Sequence, residues 1–179
     1  MSIENTTKFE GKNLLRAVAQ SAGVDDPLAF IDVGDVSFLI SSRDIFTLMP
    51  TQKMAAPVLE QACGEIELEG TKVPVFAINK ALQLNIERPT NHLTLVVLQH
   101  QGRLFGLCCM TLEKIDAGNL RIFSVPITMS SRKQPFSQFA VINNRAAGLT
   151  SAVELFRLLQ ARGVKFPELI ETEFVQEAS

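Results

Sequence analysis

From Val36 to Thr150 the chain is written in short apolar runs, most with a period of two, each closed by a cluster of turn-forming residues. No stretch between these runs is long enough for the helical crossover that a parallel sheet requires. That pattern confines the chain to mainly β architectures built from small antiparallel barrels or a sandwich. Three hairpins are predicted. "VSFLIS" and "IFTLM" flank Ser42-Arg43-Asp44, and "GEIELEGTKVPVFAI" turns at Glu69-Gly70-Thr71. "LTLVVLQ" and "RLFGLCCM" flank His100-Gln101-Gly102 and are the richest in β-branched and aromatic residues. Further short strands are predicted over Leu112 to Ile115, over Leu120 to Val125, and on both sides of Asn143-Asn144. "TQKMAAPVLEQACG" is read as at most one turn of helix, "ALQLNIERPTN" as a loop, and "TMSSRKQPFSQ" as a polar surface loop.

Helices are predicted only toward the two ends. In "KFEGKNLLRAVAQSAG", Leu14, Leu15, Val18 and Ala22 fall at helical spacing and Gly23 supplies a stop. This helix either caps an exposed barrel edge or docks another chain. "VDDPLAFIDVGD" reads as an irregular link, since Asp26-Pro27 disfavours helix. In "SAVELFRLLQARG", Ser151 and Glu154 have capping-box spacing, Leu155, Leu158 and Leu159 form an apolar stripe, and Gly163 ends the element. "VKFPELIETEFVQEAS" reads as an acidic tail. The division is therefore 1–32 helix and linker, 33–162 the β unit, and 163–179 the tail.

The chain has 179 residues, a formal charge of -2, and neither Trp nor Tyr against 12 Phe. So small a net charge offers no handle for nucleic acid or an anionic membrane. The only basic pair of note, Arg132-Lys133, has no interleaved aromatic beyond Phe136, and reads as a solvated loop. There is no secretory signal pattern and no apolar run of roughly 18 residues, so no membrane insertion is expected. Three cysteines, Cys63, Cys108 and Cys109, do not make a disulfide framework and suit a reducing cytoplasm. Cys108 and Cys109 are consecutive in a strand and point to opposite faces, which prevents a shared metal; burial as small hydrophobes is expected, with redox sensing the other reading. His92 and His100 lack any local nucleophile, base or oxyanion pattern and are expected at the surface. No phosphate loop, dinucleotide fingerprint or hydrolase elbow occurs, and no cofactor is expected.

One stretch carries unusual chemistry. In "GEIELEGTKVPVF", Glu65, Glu67 and Glu69 would share one strand face with Ile66 and Leu68 opposite, the carboxylate stems standing about 6.8 Å apart. Pro74 points to an edge position for the following strand, because it cannot donate to a ladder. The stripe is either a solvated outer face or an acidic contact surface. Exposed carboxylates without a pocket cannot separate their pKa values for acid–base work. Candidate partner-binding residues are therefore Glu65, Glu67, Glu69, Lys72 and Pro74.

Four blocks, in order, resemble the CheW-like domain family of bacterial chemotaxis adaptors. They are "VSFLISSRDIFTLMP", "CGEIELEGTKVPVFAINKALQL" with its two glycines and V-P-V, "LTLVVLQHQGRLFGLCCMTLEKI", and "FAVINNRAAGLTSAVELFRLL". The resemblance implies two small five-stranded, SH3-like β-barrel subdomains on a shared apolar core. It implies no catalysis. The partners implied are a chemotaxis-type histidine kinase regulatory domain and either a methyl-accepting receptor's cytoplasmic tip or another CheW-like domain. The location implied is the cytoplasm, with recruitment to receptor arrays or the cell pole. Three departures stand out: a shortened segment between Pro50 and Gly64, Glu69 where the family usually has arginine, and Met110 where it commonly has aspartate. A two-unit charge change at Glu69 points to a partner with a complementary basic patch, or to a specialised pathway such as surface motility. The competing reading is a small-barrel ligand- or nucleic-acid-binding protein outside chemotaxis.

Overall fold

The computed structural model describes residues 27–116, 120–126, 128 and 134–168. Twelve strands and one α-helix make up these residues. The strands are β1 (Leu28–Asp32), β2 (Ser37–Ser41), β3 (Ile45–Pro50), β4 (Gly64–Leu68), β5 (Thr71–Ile78), β6 (Leu84–Asn85), β7 (Thr94–His100) and β8 (Arg103–Cys109). They continue with β9 (Thr111–Ile115), β10 (Arg121–Ser124), β11 (Gln138–Ile142) and β12 (Arg145–Leu149), and helix α1 spans Ala152–Ala161. The helix expected at Lys8–Gly23, the pair Arg132-Lys133 and the acidic residues after Glu168 lie outside the described residues.

The strands form two sheets. Sheet A runs β10-β11-β12-β2-β1-β9; sheet B runs β3-β7-β8-β5-β4, with β6 added on β5. The mainly β architecture of two small subdomains on a common core is thus present, with six strands in each sheet. Three hairpins close through two-residue turns whose residues have positive φ: Glu69-Gly70, Gln101-Gly102 and Asn143-Asn144. Such turns match the right-handed twist of the strands they join.

Three sequence expectations need correction. β2 and β3 are not a hairpin: β2 pairs with β1 and β12, whereas β3 pairs with β7 in the other sheet. The 3-10 turn Ser42–Asp44 carries the chain between subdomains, and no local pattern distinguishes that from a turn back. The supposed link after Pro27 is strand β1, paired on both sides by β2 and β9. Asp26-Pro27 excludes helix but not strand, and all five residues of β1 are buried, so the run shows no alternation. Leu84–Asn85, expected as loop, adds a two-residue strand.

Burial on both faces follows from the layering. Leu28, Phe30, Leu39, Ala140 and Ala147 fill the inside of sheet A. Ile66, Val73, Val75, Ala77, Leu95, Val97, Cys63 and Cys108 fill the inside of sheet B. Between the sheets, Ile31, Phe38 and Ile40 meet Phe76, Val96, Leu98, Phe105 and Leu107, under Leu155, Phe156 and Leu159 of α1. Each fully buried side chain of this size contributes about 1.5–3 kcal/mol. Ser151 Oγ accepts from the Glu154 N–H, and Asp44, from the crossing turn, accepts the Ala152 N–H at 2.8 Å. The helix start is thereby tied to the passage between subdomains. Glu154 does not complete the capping box; its carboxylate pairs with Arg157. Past Gly163, at positive φ, Val164 is buried and Phe166 stacks on Phe156 at 4.3 Å, so the segment expected as tail begins inside the core.

Candidate functional site

β4 forms one rim of sheet B and β3 the other. In the β4–β5 hairpin the registered pairs are Gly64 with Val75, Glu65 with Pro74, Ile66 with Val73, Glu67 with Lys72, and Leu68 with Thr71. Ile66 is buried inside the sheet, and Glu67 is exposed. The backbone of Glu65 faces away from β5: its N–H donates to Ala55 O at 3.1 Å, and its O accepts from the Ala55 N–H at 2.8 Å. Two residues on, alternation directs the N–H and C=O of Glu67 the same way, and no strand covers them among the described residues. The rim is thus covered at Glu65 and open at Glu67.

The candidate residues do come together, but not as one uniform stripe. Glu65 is largely buried and ion-pairs with Lys72 at 3.4 Å, diagonally across the hairpin. Glu67 has no ion-pair partner among the described residues. Glu69 is not a third strand position: it occupies the turn at φ +49 beside Gly70 at φ +78, and is exposed. Gly70 has nothing within 4 Å of a hypothetical Cβ, so conformation alone demands glycine there. Pro74 lies on β5, which is interior rather than edge; β4 is the rim. Proline is tolerated because the pairing of β5 with β8 involves Val75 and Phe76, just beyond it.

Sequence reasoning missed the opposite rim. β3 exposes Phe46 at 45% and Leu48 at 48%, alternating with half-buried Ile45, Thr47 and Met49. The available signal was apolar residues on both faces of "IFTLMP", which reads equally as a doubly buried strand. Met110 stands at the second crossing between subdomains, where its N–H donates to Asp32 O at 2.7 Å. It is partly exposed, away from the hairpin rim.

The histidines behave differently from each other. His92 is not a surface residue: it is 6% exposed, and its Nδ1 lacks a hydrogen-bond partner among the described residues. A side chain at Gly34 would stand 3.2 Å from its Nε2, so the ring packs directly on that turn. Burial holds the imidazole below its usual pKa, against the opposing pull of Asp32 and Asp35. His100 packs on Phe156 at 5.0 Å. Among the described residues no group of His, Cys, Asp and Glu could hold a metal ion, and no helix is long and apolar enough to cross a membrane. Phe136, the aromatic nearest the basic pair, is not a free stacking platform. It packs edge-on against Phe38 and covers Gly148, where a Cβ would lie 2.5 Å from its ring.

Comparison with known proteins adds the following. The family model described as CheW-like domain matches residues 28–160. No curated protein matches. Fifteen chains among solved structures match. One is the scaffolding protein TtCheW from Thermoanaerobacter tengcongensis, 13% identical, with a TM-score of 0.49 over 69% of this chain and 82% of that one.

Proposed function

The chain belongs to the CheW-like domain family, whose members are non-enzymatic scaffolding and coupling proteins, and from that premise we propose that it is a cytoplasmic adaptor for a chemotaxis-type histidine kinase. It couples the kinase's regulatory domain to a receptor tip or to another CheW-like domain. The observation that carries this reading is the β4 rim, where among the described residues the Glu67 backbone is unpaired and the Glu67 and Glu69 carboxylates have no ion-pair partner. A partner strand can extend sheet B there through main-chain hydrogen bonds, while the carboxylates select for a basic flank. The apolar rim at Phe46 and Leu48 supplies a second contact of different character. Recruitment to a membrane-bound array then follows from the partners rather than from any insertion of this chain.

Glu69→Arg tests the reading. Both residues carry a Cβ at the same positive φ, so the backbone cost is shared and the variant isolates charge. Binding to the cognate kinase regulatory domain, measured by titration calorimetry, should weaken about tenfold or more, since like charges set face to face cost upwards of about 1.4 kcal/mol. Unchanged affinity removes Glu69 from the interface.

A further inference from the structure

The inner face of sheet B holds two sulfur atoms in contact. Cys63 Sγ and Cys108 Sγ are 3.7 Å apart, although the residues are 45 positions apart in the chain. Cys63 is 8% exposed and Cys108 1% exposed, and their surroundings are aliphatic: Ile66, Val73, Val75, Ala77, Leu95 and Val97. In that setting each thiol finds its hydrogen-bond partner in the other. Cys109, next in sequence, points into the core between the sheets, and burial pushes its thiol up to about 12. Two of the three thiols are thus paired and the third is set apart.

The pair is asymmetric. Cys108 lies inside β8, held between β7 and β5. Cys63 lies just before β4, at the end of an irregular stretch that bridges β4 through Ala55 and Glu65, and its own N–H donates to Val75 O at 2.9 Å. It is the more exposed of the two. Donation from the Cys108 S–H lowers the Cys63 thiol below its usual range, which favours thiolate at that position.

We propose that Cys63 and Cys108 are a modification site, forming a reversible intramolecular disulfide on exposure to a small hydroperoxide. The Cys63 thiolate attacks one peroxide oxygen, the O–O bond breaks, and the departing hydroxide takes up a proton as water. Cys63 is then a sulfenic acid. The Cys108 sulfur displaces hydroxide from it, the S–S bond forms, and hydroxide leaves as water with the Cys108 proton. Two thiols and one hydrogen peroxide become one disulfide and two waters. Closing the gap to the roughly 2.05 Å of a disulfide needs only a small shift of the Cys63 side chain and its flanking loop. The bond pins the loop that covers the first half of the β4 rim to the middle of sheet B.

The test uses the full chain, folded, treated with hydrogen peroxide, alkylated without reduction and digested with trypsin. Peptides 54–72 and 104–114, which carry these cysteines, are expected as one cross-linked species lacking two hydrogens, and fragmentation should place the link on Cys108. A thiol reductant should restore both free peptides. Cys109→Ser should retain the link, and Cys63→Ser should lose it entirely. A link on Cys109, a bond between the adjacent Cys108 and Cys109, or oxidation that stops at sulfinic acid with no cross-link overturns the proposal. The wild-type map decides the matter even where a variant folds poorly.

Discussion

At the scale of single residues, the buried imidazole of His92 makes stability depend on pH. Its folded pKa lies below the usual 6.5, chiefly through burial, so the unfolded chain takes up a proton before the folded one does. The stability it confers is complete above about 6.5 and is lost as pH falls from there toward the lowered folded value. Urea unfolding between about pH 7.5 and 5 should show this decline, and His92→Gln should flatten it. Nothing in "TNHLTL" announces that burial, because the ring is covered by Gly34, far away in sequence. Similarly, Glu65, Glu67 and Glu69 were legible as a charged group, but their differences were not. Glu65 is committed to Lys72 by hairpin register, and Glu69 is carried out of the strand by the turn. The contact between Cys63 and Cys108 was beyond sequence reading altogether, since it depends on both residues reaching the same inner face of sheet B from places 45 positions apart in the chain.

At the scale of elements, hairpins were legible wherever a two-residue turn joined alternating runs, as at Glu69-Gly70, Gln101-Gly102 and Asn143-Asn144. Local chemistry sets those turns, so local reading finds them. β1 and the β2-to-β3 passage were not legible: the first is buried on both faces, and the second depends on which sheet each strand joins. The open rim of β4 invites a test of strand addition. Proline at position 67 would delete an N–H that faces away from β5, leaving the β4–β5 ladder bonds of Ile66 and Leu68 in place. Glu67→Pro should therefore weaken partner binding by up to about tenfold, the worth of one hydrogen bond. The thermal midpoint of the free protein checks that the fold survives.

At the scale of the whole molecule, one apolar layer serves both sheets. Phe156 touches Phe105 at 5.9 Å, Phe166 at 4.3 Å and the His100 ring at 5.0 Å, in a cluster that also contains Ile31, Phe38 and Ile40 of sheet A. Phe156→Ala should cost about 3–5 kcal/mol. Amide hydrogen exchange should show the loss in both sheets together. Protection lost from sheet B alone would mean that the subdomains unfold independently. The chain leaves sheet A at Ser42–Asp44 and returns at Met110, so sheet B is encoded without interruption. Sheet A is encoded in two distant pieces, joined by the parallel pairing of Gly148 with Phe38 and by the antiparallel pairing of β1 with β9. On the ribosome, β1 and β2 therefore precede sheet B yet must wait for the last strands, with the face that Ala140 and Ala147 cover still bare after the later-made sheet completes itself. Slow translation before β12 prolongs that wait, and nascent chains halted there are the form of this protein most in need of a chaperone.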